Sequence, residues 1–145
     1  MKKSKTTIAT LLLICFSVFV AQTISAKAAG ITPYYNTTQM ASSTMNISDD
    51  GVMTITYRYI TKTTNISSAT ITTYIEKRTL GIFWTRVDIG VPDNQWVDTS
   101  TSSSYVNSRT FQLSSSGTYR TCITYEIIGS NGSADTIPYE LQDSY

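Results

Sequence analysis

Three aspartates, Asp88, Asp93 and Asp98, recur at even spacing around a proline-containing stretch. Glycoside hydrolysis needs two carboxyl groups roughly 5–10 Å apart, one as acid and the other as base or nucleophile. These three are the candidates for such a pair, and an enzymatic reading requires them to face each other across a groove. Asp93, however, lies between Pro92 and Asn94, which is the chemistry of a β-turn. Asp49 and Asp50 raise the question of calcium, but the acid-rich spacing of a calcium loop is absent, and Asp50-Gly51 is itself a hairpin signal. A Ser–Lys dyad would have to draw on Lys62 or Lys77, both in strand-like surroundings. The chain has no histidine, which removes His-based triads and most transition-metal sites. These residues point to a protein that is not an enzyme and needs no cofactor or metal.

The aromatic residues offer a different chemistry. There are ten tyrosines and two tryptophans. Tyr57, Tyr59, Tyr119 and Tyr125 share parity with aliphatic neighbours and read as core. Tyr74, Trp84 and Trp96 do not carry that requirement. Flat rings beside amide and acid side chains, as in Asp93-Asn94-Gln95-Trp96, can stack on sugars or anchor a protein interface. Trp96, Trp84, Asn94 and Tyr74 are therefore the candidate ligand-binding residues.

The elements that must position them read as strands. Gly117 to Gly129 alternates throughout, with Tyr119, Thr121, Ile123, Tyr125 and Ile127 on one face and Arg120, Cys122, Thr124 and Glu126 on the other. Val52 to Lys62 places Met53, Ile55, Tyr57 and Tyr59 together, and Ala69 to Thr79 does the same for Ala69, Ile71, Thr73 and Ile75. Weaker strands are expected over Thr38–Ile47, Ile82–Ile89, Tyr105–Leu113 and Ser133–Leu141, the last at an edge because of Pro138. Asn107 and Arg109 share parity with Phe111 and Leu113, so either a bulge shifts the register or only that strand's end is buried. Thr99 to Ser104, six consecutive Ser/Thr residues, reads as a loop or a ragged edge strand. No 3.6-residue periodicity follows the leader. About seven antiparallel strands punctuated by turns predict an all-β Greek-key sandwich.

The amino terminus has a separate purpose. Lys2, Lys3 and Lys5 precede an apolar run from Ile8 to Ala21, and Ala26-Lys27-Ala28 supplies small residues for cleavage. Residues 1–28 are expected to be a secretory signal peptide, 29–37 an arm, and 38–145 a single domain in an extracellular protein. Loss of Lys2, Lys3, Lys5 and Lys27 leaves seven basic against ten acidic residues, a net charge of −3. No basic stripe survives, which argues against a nucleic-acid partner. Cys15 departs with the leader, so Cys122 has no partner in its own chain. It serves either as a small hydrophobe or as the link of a covalent dimer.

At Gly117-Thr118-Tyr119-Arg120 the chain resembles the sixth strand of immunoglobulin-like domains, where a tyrosine after a turn bonds back to the backbone. The resemblance implies that role for Tyr119. The position two residues on is Thr121, not cysteine, and Cys122 faces the other way, so the resemblance is to disulfide-free, fibronectin-III-like members. With the leader, the stretch Ile31-Thr32-Pro33-Tyr34-Tyr35-Asn36 and the Ser-Ser-Gly-Thr-Tyr-Arg block, the chain also resembles small uncharacterised secreted proteins of Gram-positive bacteria. That family carries no established activity. The expectation is a secreted, non-enzymatic binding or adhesion module acting at or near a bacterial cell surface, with a carbohydrate or protein ligand. The alternative is a secreted toxin or bacteriocin-like effector.

Overall fold

The computed structural model describes residues 35–145, so the expected leader and the first part of the arm lie outside the described residues. Eight strands follow in order: β1 (Thr38–Ile47), β2 (Val52–Thr61), β3 (Ile66–Thr79), β4 (Phe83–Arg86), β5 (Trp96–Ser100), β6 (Ser104–Gln112), β7 (Thr118–Gly129) and β8 (Ala134–Ser144). They form two antiparallel sheets. One has the order β1-β2-β6. The other runs β4-β3-β7-β8, with β5 also paired to β3.

The two sheets share one hydrophobic core. Met53, Ile55, Tyr57 and Tyr59 of β2 meet Ala69, Ile71 and Ile75 of β3 and Tyr119, Ile123, Tyr125 and Ile127 of β7. These are the positions that strict alternation selects, because a period of two sends every second side chain to the same face. Each fully buried aliphatic side chain contributes about 1.5–3 kcal/mol. The four core tyrosines keep their rings in the core and their hydroxyls at its rim. Tyr59 Oη donates to Ser102 O at 2.9 Å, Tyr119 Oη to Ser115 O at 2.6 Å, and Tyr125 Oη to Ser42 O at 2.9 Å, while Tyr57 Oη donates to Asp98. The Tyr119 bond is the backward corner contact expected of it.

Two differences from the sequence reading concern edges. The strand expected over Ile82–Ile89 ends at Arg86, and a further strand, β5, occupies residues that read as a lead-in to a loop. Both lie along the same edge of β3. Its outer half pairs Glu76 with Arg86 through Thr79 with Phe83, and its inner half pairs Ala69 with Ser100 through Thr73 with Trp96. The chain leaves this edge between them and makes a 3-10 turn at Pro92–Asn94. The Ser/Thr run therefore splits, with its first residues in β5 and its last in β6. The register between β2 and β6 is unbroken from Val52–Gln112 to Ile60–Ser104. No bulge turns Asn107 and Arg109 away, and both face the other sheet.

At the opposite side of the sandwich, β8 is an edge strand, as Pro138 predicts, and it laces β1 with side chains. Asp135 accepts backbone N–H bonds from Asn36, Thr37 and Thr38 at 2.7–2.8 Å. Asp143 accepts from Ile47 N at 3.0 Å, and Tyr139 Oη donates to Ala41 O at 2.5 Å.

Candidate functional site

The three aspartates go to three different tasks. Asp88 accepts a hydrogen bond from Gly90 N at 2.9 Å within its own loop. Asp93 sits in the 3-10 turn with φ 56°, its carbonyl oxygen accepting from Arg86 Nη1 at 3.3 Å. Asp98, on β5, points between the sheets. Its Oδ1 accepts from Arg109 Nη2 at 2.6 Å, Asn107 Nδ2 at 3.1 Å and Tyr105 Oη at 3.4 Å, while Tyr57 donates to Oδ2. Burial, and then the bond to Asp98, push the Tyr57 hydroxyl's pKa well above the ordinary tyrosine range. Both carboxylate oxygens of Asp98 are therefore engaged by structural donors. Its partners include Asn107 and Arg109 of β6, which explains their inward parity.

The four candidate ligand-binding residues divide. Trp96 faces inward beside Thr73 and meets Phe111 edge-on, with ring centroids 6.4 Å apart. Asn94 accepts a hydrogen bond from Ile89 N at 3.2 Å and so braces the loop. Tyr74 and Trp84, by contrast, share the outer face of the five-stranded sheet.

That face is built by register. Along β3, Tyr74, Glu76 and Arg78 point outward. The pairing of β4 sets Arg86 opposite Glu76 and Trp84 opposite Arg78, and the pairing of β7 sets Cys122 opposite Tyr74 and Arg120 opposite Glu76. Cations and rings then interleave. The Arg86 guanidinium carbon lies 3.5 Å from the Tyr74 ring centroid, and that of Arg120 lies 4.5 Å from the Trp84 centroid. Arg120 also bonds Glu76 Oε2 through Nε at 2.6 Å and Glu140 Oε2 through Nη1 at 3.3 Å. The result is a lattice in which each long side chain is held by a neighbour, so little rotamer freedom is left to lose on binding.

Cys122 lies beneath this lattice. Its parity is outward, yet it is only 7% exposed because its neighbours on β3 and β8 cover it. Burial pushes its thiol up from the ordinary cysteine range, and the Glu76 carboxylate adds to the effect. Among the described residues no group of His, Cys, Asp and Glu could hold a metal ion. The sequence reading missed Arg86, Arg120, Glu76 and Glu140 as members of the site. Parity placed Arg120 and Glu76 on outward faces, but nothing in the sequence fixes the register of the short strand β4.

No family model matches the chain, and no curated protein matches it. Among solved structures, the chain is similar to a crystal structure of a Bordetella pertussis protein named ApaA, at 16% identity, a TM-score of 0.41, and coverage of 76% of this chain and 95% of that one.

Proposed function

We propose that this chain is an exported, non-enzymatic binding module that recognises a protein partner through the outer face of its five-stranded sheet. The observation that carries the reading is the interleaved lattice of Tyr74, Arg86, Trp84 and Arg120. Tyrosine, tryptophan and arginine are the residues that dominate binding energy at protein interfaces. A sugar would have to displace a guanidinium to stack on either ring, which favours protein over carbohydrate. Export rests on the leader pattern of residues 1–28. The sheet order β1-β2-β6 against β4-β3-β7-β8 supports a fibronectin-III-like Greek key as the scaffold.

The test is retention of fluorescently labelled protein, residues 29–145, on bacterial cells. Combined Tyr74→Ala and Arg120→Ala replacement is expected to weaken retention about thirtyfold or more, as loss of an interface anchor does. Protease treatment of the cells should abolish retention, and periodate treatment should leave it intact. The reverse sensitivity would replace the protein partner with a glycan. Equal retention of both forms of the protein would remove the outer face as the site.

A further inference from the structure

The β3–β4 hairpin carries three highly exposed apolar residues side by side, among them the two most exposed large apolar side chains of the described residues. Leu80 is 84% exposed, Ile82 68% and Phe83 59%, and they are consecutive apart from Gly81. Scattered apolar residues on a surface need no explanation, but a contiguous group does. The group also protrudes. The last β3–β7 pair is Lys77 with Tyr119, so residues beyond it lack a neighbour on that side.

The backbone of this turn is unfavourable for the residue it carries. Ile82 N donates to Thr79 O at 3.2 Å, closing a two-residue loop in which Leu80 has φ 53° and Gly81 φ 73°. Such loops favour asparagine, aspartate or glycine at the first position, because a Cβ is disfavoured in the left-handed region. Here a leucine occupies it, fully in solvent. Local strain combined with an exposed apolar side chain indicates that the side chain has a use outside the fold.

The surrounding charge identifies the partner. From Lys77 to Val87 the chain contains Lys77, Arg78 and Arg86 and no acidic residue, although residues 29–145 carry a net charge of −3. Glu76 and its register partner Arg86 lie on the body side, where Glu76 is taken up by Arg120 and Arg86 stacks on Tyr74, which leaves Lys77 and Arg78 as the charges nearest the tip. The neighbouring β6–β7 turn is neutral, and Lys77 Nζ donates to Ser115 Oγ there at 2.6 Å. Asp49 and Asp50 sit at the same end of the sandwich but on the β1–β2 turn of the other sheet. That turn is on the far side, since β1 is laced to β8 while β6 lies against β5. An apolar tip flanked on β3 by Lys77 and Arg78, with a tryptophan just behind it at Trp84, has the make-up of an element that enters the headgroup region of an anionic bilayer. We infer that the Leu80–Phe83 tip is a membrane-docking element for anionic lipid surfaces.

This site does not depend on the outer-face reading and is tested separately. Residues 29–145, which include the whole core described above, are sedimented with vesicles of phosphatidylglycerol mixed with phosphatidylcholine and with vesicles of phosphatidylcholine alone. Binding is expected to the anionic vesicles and to fall with added salt. Leu80→Asn combined with Phe83→Ser should lower the partition coefficient about a hundredfold, as removal of two inserting side chains does. Arg78→Ala should lower it about fivefold. Leu80→Asn alone should also raise the melting temperature, because asparagine suits the turn, so lost binding cannot be attributed to unfolding. Sedimentation equal for wild type and the tip variants would overturn the proposal. So would an absence of vesicle binding, with or without self-association through the tip.

Discussion

Arg109 Nη2 donates to Asp98 Oδ1 at 2.6 Å, and the pair joins β6 of one sheet to β5 of the other. Asp98 is the acceptor on which Tyr57, Tyr105 and Asn107 also converge. Asp98→Leu would leave these donors and a half-buried guanidinium without an acceptor. The expected loss is about 2–4 kcal/mol, reduced from the fully buried case because Arg109 is partly solvated. Adding Arg109→Met to Asp98→Leu should recover part of the loss. Urea unfolding of both single variants and the double variant measures this, and strict additivity would mean that the two residues act independently.

Asp135 gives the fold an acid limit. Burial raises its pKa, but the backbone N–H groups of Thr38, Asn36 and Thr37 lower it further, and the net is a value below the ordinary 3.8. A folded carboxylate that resists protonation stabilises the fold at pH values above its unfolded pKa, and this contribution is lost as the pH falls through the folded pKa. Asp135→Asn should therefore cost about 2 kcal/mol at neutral pH, with the difference from wild type shrinking below pH 3.8. Unfolding curves across the acid range test this, and a constant difference would place the effect elsewhere.

Cys122 should behave as a protected thiol. A thiol reagent is expected to label it slowly in the native chain and rapidly in urea, since burial both hides the sulfur and disfavours its thiolate. Non-reducing electrophoresis should show one chain. A dimer sensitive to reductant would require Tyr74 and Glu140 to move aside from the positions that flank it.

Thr73 offers a gain. Its side-chain hydroxyl is fully buried in the core and finds no hydrogen-bond partner among the described residues. Thr73→Val keeps the shape and β-branching of the side chain and removes the unsatisfied group. An increase in stability of about 1 kcal/mol is expected from thermal or urea unfolding. A decrease would reveal a water bound at that position.

The long strands were legible because burial and alternation coincide in them. Every inward position read along β2, β3 and β7, from Met53 to Ile127, is buried. Reading failed where short strands take their register from a neighbour. Nothing in Gln95-Trp96-Val97 shows that it will pair with β3, so Trp96 carried no requirement for burial in the sequence, whereas the pairing turns it toward Phe111. Asn107 and Arg109 looked anomalous because their acceptor, Asp98, lies on another strand and in the other sheet. The outer-face lattice was half visible: parity placed Tyr74 and Arg120 outward, and only the hairpin register brings Trp84 and Arg86 to them.

The break between β4 and β5 bears on how the molecule behaves in a crowd. A long uninterrupted outer strand offers a row of free N–H and C=O groups to any other chain, and it is the usual seed of sheet-to-sheet polymerisation. Here the strand is cut into pieces of four and five residues by the connection between Arg86 and Trp96, which includes the 3-10 turn at Pro92–Asn94. The opposite border of this sheet carries Pro138, which has no N–H to give. Both borders of the five-stranded sheet thus lack a continuous template, which should let the protein remain dispersed at high concentration while its outer face stays open to a partner.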